Sequence, residues 1–179
     1  MIAIMLDDLQ PVLRGLPGRE LALAPEENVF LQGDPVQQMF FVTGGTMHLV
    51  RHQESGAPLV LHRAGAGALL AEASLYSDKY HCDAVAVAPS RLWAVSKRDL
   101  LKRMAESPEL ALAIIRRLAH ELQHARLHAE VLSMKTVAAR LDAWIGWKGP
   151  LPPKGEWVEL AAELGVSPEA LYREIARRR

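Results

Sequence analysis

One cysteine, Cys82, is all that 179 residues provide, and that scarcity removes several chemistries at once. A disulfide within the chain is excluded, and neither a cysteine-ligated iron–sulfur cluster nor a structural zinc finger has its ligands. The implied compartment is reducing. Long apolar runs are missing too, so no segment reads as a membrane span. The opening MIAIML is too short for a signal core, lacks a basic flank and runs straight into Asp7 and Asp8; a cytoplasmic protein is expected. The nucleophile elbow, the phosphate-binding glycine loop and the zinc-protease pattern are all absent. His48, His52 and His62 are scattered, without the His-x-His pair and spaced Glu of a cupin-type metal enzyme. Enzymatic activity is not expected.

Net charge is zero, but it is unevenly spread. Residues 1–96 hold six basic and ten acidic side chains, whereas residues 97–179 hold fifteen and eleven. The basic excess therefore lies toward the C-terminus. With half its residues hydrophobic, the chain can bury one or two compact cores.

The periodicity changes once. After a short N-terminal helical segment carrying Leu6, Leu9, Val12 and Leu13, short apolar runs follow at residues 28–31, 39–43, 46–52, 59–63, 83–87 and 91–96. Gly33-Asp34, Gly44-Gly45, Ser55-Gly56 and Pro89-Ser90 break them up. This spacing predicts an antiparallel barrel or double-sheet roll, with Gly44-Gly45 as a hairpin turn. From Lys97 the pattern is helical: a short helix to about residue 105, then a long one entered through Ser107-Pro108. In the long helix Ile115, Leu118, Leu122, Ala125, Ala129 and Leu132 recur in steps of three and four. That is the seam of a two-stranded coiled coil, although a helix lying on its own barrel needs a similar stripe. His120, His124 and His128 recur every four residues outside the seam; metal binding on one helix face and a plain solvated face are both compatible with that spacing.

The last residues, ELGVSPEALYREIARRR, predict two helices joined by a tight turn. Gly165 suits the left-handed conformation that stops a helix. Ser167 supplies an N-cap, Pro168 fits the first helical position, and Glu169 places an acid in the positive first turn. Leu160, Ala161, Leu164, Val166, Leu171 and Ile175 form the shared apolar side. Glu169, Tyr172, Arg173 and Arg177 lie elsewhere on the second helix, where a helix-turn-helix reads the major groove. An ordinary helical hairpin with a charged face has the same pattern. Trp144, Trp147, Trp157 and Tyr172 gather in this region and are expected to fill a small core.

Taken in order, NVFLQ with Gly33-Asp34, FFVTGGTMHLV, GALLAEASLY at 67–76, SPELALAIIRRLAHEL and LGVSPEALYREI resemble the Crp/Fnr family of bacterial transcription regulators. The resemblance implies an α+β protein: an antiparallel β-roll sensor (residues 1–106), a long dimerisation helix (107–134) and a helix-turn-helix domain (135–179). It implies a homodimer on double-stranded DNA, a small-molecule effector of unknown identity, and RNA polymerase as a further partner. No cofactor is assigned. Glu72, with Ala73 and Ser74, matches the cassette that holds the ribose in cyclic-nucleotide-binding members. Cys82 and Asp83 stand where those members place an arginine and a serine against the phosphate, and Ala125 and Arg126 where small hydroxyl residues meet adenine. An anionic Asp83 repels phosphate and Cys82 offers no cation, so cyclic AMP is not the expected effector; Arg126 is a candidate substitute cation. His81-Cys82 is the one candidate pair for a haem, but neighbouring strand residues face opposite ways.

Ser167, Glu169 and Arg173 match family positions that contact phosphates or base edges, while Pro168 replaces an arginine. Arg177 and the arginines after it suit phosphates. The sequence ends where the family's β-hairpin wing would begin, and GPLPPKG at 149–155 is short for the usual strand pair. A reduced domain of three helices (135–147, 156–164 and 168–178) with weaker, looser DNA binding is therefore expected. Two readings stay open: a DNA-binding regulator, and a sensor or adaptor that has kept the fold but lost specific DNA binding. The resemblance also places an allosteric hinge at residues 133–136.

Overall fold

The computed structural model describes residues 15–53 and 58–178. The expected helix around Leu6 to Leu13 and the Ser55-Gly56 turn lie outside the described residues. Among the described residues eight strands precede the helices: β1 (Gly18–Leu23), β2 (Asn28–Phe30), β3 (Gln38–Gly44), β4 (Met47–His52), β5 (Pro58–Ala64), β6 (Leu69–Leu70), β7 (Asp83–Ala86) and β8 (Ser90–Ser96). They form two antiparallel four-stranded sheets, ordered β1-β8-β3-β6 and β2-β7-β4-β5. Alternation decides which side chains face in. On β7, Ala84 and Ala86 are buried while Asp83 and Val85 are only partly so, and Met47 and Leu49 do the same on β4. β3 departs from this pattern, with Met39 to Val42 all buried. It lies between β8 and β6, and helix α1 (Lys97–Glu106) packs on it and on β8, so both its faces are covered.

Two strands were not foreseen. β1 is an edge strand with most of its residues exposed, so it carries little apolar signal, and β6 is only two residues long. The Gly44-Gly45 hairpin is corrected. β3 and β4 belong to different sheets and do not pair; the glycines form a corner between sheets. Gly45 has φ 84°, and a Cβ there would lie 2.4 Å from the Pro89 carbonyl oxygen. The corner is pinned to the β7–β8 turn, as the Thr46 amide donates to Ser90 Oγ at 3.1 Å and the Val87 amide to the Thr46 carbonyl. Glycine is thus needed for its backbone and for close approach, not for a hairpin.

The helical part starts with α1, N-capped by Ser96, and α2 (Pro108–Ser133), whose first turn has Pro108 at its head. Then come α3 (Val137–Lys148), capped by Thr136 Oγ1 on the Ala139 amide at 3.1 Å, α4 (Trp157–Glu163) and α5 (Pro168–Arg177). Contacts split the chain into two compact units that meet between Arg116 and Arg117, within α2. Leu110 and Ile114 of α2 are buried in the first unit. The core of the second is Val131, Leu141, Trp144, Trp157, Leu160, Ala161, Leu164, Leu171 and Ile175. The clustered aromatics therefore divide: Trp144 and Trp157 are core, and Tyr172 packs against Trp157 with ring centroids 5.2 Å apart. Among the described residues no helix is long and apolar enough to cross a membrane.

Two glycines give opposite expectations. Gly45→Ala forces a left-handed φ and a clash, and should cost the protein at least about 2 kcal/mol. Gly146 sits in the interior of α3 with open space where a Cβ would go, so Gly146→Ala should stabilise by about 0.5–1 kcal/mol. Urea unfolding of both variants checks the signs.

Candidate effector cassette and nucleic-acid interface

The cassette begins where β6 ends. Ala71 takes a left-handed φ of 58° and turns the chain into a short 3-10 segment, Glu72–Ser74. Ser74 is fully buried, and its Oγ lies 2.9 Å from Nδ1 of His81. The loop that follows is strapped to the β2–β3 loop: the Gly33 amide donates to the Tyr80 carbonyl, the Tyr80 amide to that of Asp34, and the Val36 amide to that of Asp78. The Tyr80 ring stacks on Phe30 at 3.8 Å, and its hydroxyl donates to the Gln38 carbonyl. Burial pushes the Tyr80 hydroxyl up to about 12.

Cys82 and Asp83 diverge. Cys82 shares the inward side with Ala84 and Ala86 and is fully buried. Burial raises its thiol to about 11, with Arg51 opposing the shift and Asp83 and Glu72 adding to it. Asp83 is occupied elsewhere: Oδ1 accepts from the Gln32 amide at 2.6 Å and Oδ2 lies 3.2 Å from His52 Nε2. Arg51 donates to the His81 carbonyl at 3.1 Å. The carboxylate foreseen as a repulsive wall for phosphate is therefore tied to a neighbouring loop and to His52, and Ser74 is tied to His81. Ala73 lies beside them in the 3-10 segment.

On α2, Ile115, Leu122 and Leu132 are 57%, 51% and 39% exposed. Ala125 and Ala129 are exposed as well, Leu118 is half-buried, and Leu112 extends the bare stripe toward the N-terminus. Arg126 is exposed on the same helix. The histidines are not one site. His128 Nε2 lies 2.7 Å from the Glu163 carbonyl oxygen, whereas His124 meets the edge of Trp147 at 5.4 Å. Burial, then the Lys148 charge, lowers the His124 pKa.

The C-terminal pair is built as its sequence directs. Gly165 has φ 62°, the Gly165 amide donates to the Ala162 carbonyl and the Val166 amide to that of Ala161. Ser167 Oγ accepts from the Ala170 amide at 3.2 Å. Leu171 and Ile175 turn inward, and Ser167, Glu169, Arg173 and Arg177 are exposed. The backbone amide of Glu169 and the Ser167 hydroxyl lower the Glu169 pKa. Tyr172 is half-buried on Trp157 and so forms part of the core wall. Arg177 and Arg178 bond groups of the fold itself. Arg178 bonds Glu174 at 2.7 Å, Asp142 at 2.5 Å and the Ala138 carbonyl at 3.0 Å, while Arg177 reaches Glu174 at 2.8 Å. Arg178 and then Arg177 hold the Glu174 carboxyl below its usual range.

Residues 20–107 match the family model described as the cyclic nucleotide-binding domain. The cyclic AMP receptor protein of Thermus thermophilus is 30% identical over 142 residues, covering 73% of this chain and 66% of that protein. The global nitrogen regulator of Synechococcus elongatus is 26% identical over 154 residues, covering 78% and 66%. The chain belongs to the Crp/Fnr family. The structure of FixK2 from Bradyrhizobium japonicum shares this Crp/Fnr fold with a TM-score of 0.70 over 90% of this chain and 84% of its own, at 19% identity. The chain spans about half to two thirds of the length of the curated relatives it matches.

The buried thiol sets a pH dependence. Folding raises Cys82 from 9.0 to about 11, so the folded state holds the proton more tightly. The associated stability is fully present below pH 9 and is lost as pH rises toward 11. The urea midpoint should fall across that window, and fall less in Cys82→Ala; equal profiles for the two proteins would contradict this assignment.

Proposed function

We propose that this chain is a homodimeric, DNA-binding transcription regulator, not an enzyme, and that its sensor domain does not take cyclic AMP. The observation that carries the DNA-binding reading is α5. Its apolar side is consumed by the core, its N-terminus is capped by Ser167, and Ser167, Glu169 and Arg173 are left exposed in its first two turns. That arrangement fits the major groove, where Arg bonds guanine edges and Glu accepts from cytosine. The bare stripe from Ile115 to Leu132 supports a dimer, which presents two such helices to consecutive grooves about 34 Å apart. RNA polymerase is the expected protein partner. The division at residues 1–106, 107–134 and 135–179 into sensor, dimer helix and DNA-binding domain is part of this proposal.

Against cyclic AMP stands the electrostatics of the cassette. Cys82 is neutral and buried where nucleotide-binding members carry a cation, Ser74 is bonded to His81, and Arg51 is turned onto a backbone carbonyl. A cyclic phosphate needs a positioned cation or convergent N–H groups to offset its desolvation. The effector is a different small molecule, placed by resemblance near Glu72, Ala73, Ser74, Cys82 and Asp83. One observation favours the second reading, an adaptor without specific DNA binding. Arg177 and Arg178 are paired with Glu174 and Asp142, which leaves them less available to DNA phosphates.

Selection of DNA from a random pool by the purified chain decides between the two. A twofold-symmetric sequence should be enriched, and Arg173→Ala should weaken binding to it by about 1–3 kcal/mol and relax one base position. No enrichment at any salt concentration would favour the adaptor. Calorimetric titration with cyclic AMP should show no binding heat; stoichiometric binding would refute the reading of the cassette.

A further inference from the structure

The last carbonyls of a helix have no partner within it and must find donors elsewhere. At the end of α4 those donors come from two other helices. His128, on α2, places Nε2 2.7 Å from the Glu163 carbonyl. Arg140, on α3, uses Nη1 for the Leu164 and Gly165 carbonyls at 2.9 and 3.0 Å, and Nε for the Met134 carbonyl at 2.9 Å. Met134 is the first residue after α2, where its amide still bonds the Val131 carbonyl. Arg140 thus spans the connection between α2 and α3 and the turn that launches α5. Gly165 lets the parts come together, since a Cβ there would lie 3.0 Å from Leu132 Cδ2 and 3.2 Å from Arg140 Nη1.

We propose that Arg140 and His128 are positioning residues for α5: they rivet the end of α4 onto α2 and make the 134–136 connection a closed joint. The reading helix then follows residues 117–133 of the long helix as one body, whereas the resemblance alone places a hinge there. A guanidinium suits this work because its rigid fork satisfies three carbonyls at once, which a lysine ammonium on a flexible stem does not reproduce. The joint stands on geometry alone; that it positions a DNA-reading element rests on the function proposed above.

Amide hydrogen exchange on the full chain tests the joint without DNA. The Arg140, Gly165 and Val166 amides report on it, and the Leu171 and Val42 amides, bonded to Ser167 and Ala68, serve as references. In Arg140→Ala the joint amides should exchange at least about tenfold faster than in the wild type while the references hold, with Arg140→Lys between the two. His128→Ala should accelerate the same amides, and His128→Gln, which keeps a donor for the Glu163 carbonyl, should restore them. Uniform acceleration, no acceleration, or a His128→Gln chain indistinguishable from His128→Ala would overturn the proposal. A second arm uses DNA pools in which the separation of half-sites varies. Wild type should select one separation, and Arg140→Ala should keep the half-site sequence but accept neighbouring separations. The same single separation in both would refute positioning. Failure of the wild type to select any half-site would refute the DNA-binding reading instead, an outcome separable from the exchange result.

Discussion

One backbone, α2, has to serve two cores, and the chain's other features follow from how it does so. Leu110 and Ile114 are buried in the first unit and Val131 in the second, while the same helix leaves Ile115, Leu122 and Leu132 exposed. Burying a leucine is worth roughly 1.5–3 kcal/mol. A row of them left exposed on a single chain is a surface that a second copy can cover. The three-and-four spacing with alanines at two positions suits a close, coiled-coil approach better than packing on a sheet.

The two ends of the molecule show opposite uses of polar groups. In the cassette, Ser74 is engaged with His81, Asp83 with the Gln32 amide and His52, and Arg51 with the His81 carbonyl. Its thiol is held neutral by burial. At the C-terminal end the satisfied groups are backbone carbonyls, and the side chains that satisfy them come from helices distant in sequence. On α5, Ser167, Glu169 and Arg173 remain directed to solvent. One region is closed upon itself, and the other is braced so that an outer face can be presented.

Much of this was legible in the sequence because local rules and the fold agree. Gly165, Ser167 and Pro168 specify the turn and cap with residue types that have few alternatives, and Leu160, Leu164, Leu171 and Ile175 are buried as their spacing requires. Six of the strands follow from alternation between turn residues. The failures share a cause, which is that sequence neighbours are not always spatial partners. Gly44-Gly45 carries the chemistry of a hairpin, but the partners that fix its shape are Pro89 and Ser90. Asp83 follows Cys82 in the chain, and its carboxylate is held by the Gln32 amide fifty-one residues earlier. Arg140 gave no signal, and His128 stood out only through its four-residue spacing from His124, since carbonyl capping between helices follows no local spacing. Arg178 likewise pairs with Asp142 on α3, a partner that no local spacing announces.

The central claim is that the stripe on α2 is covered by a second copy of the chain, and sedimentation equilibrium tests it most directly. The wild-type chain should run at twice its 19.8 kDa mass, and Leu118→Asp with Leu122→Asp should run as a folded monomer. A monomeric wild type, or a doubly substituted chain that still sediments as a dimer, would contradict the account.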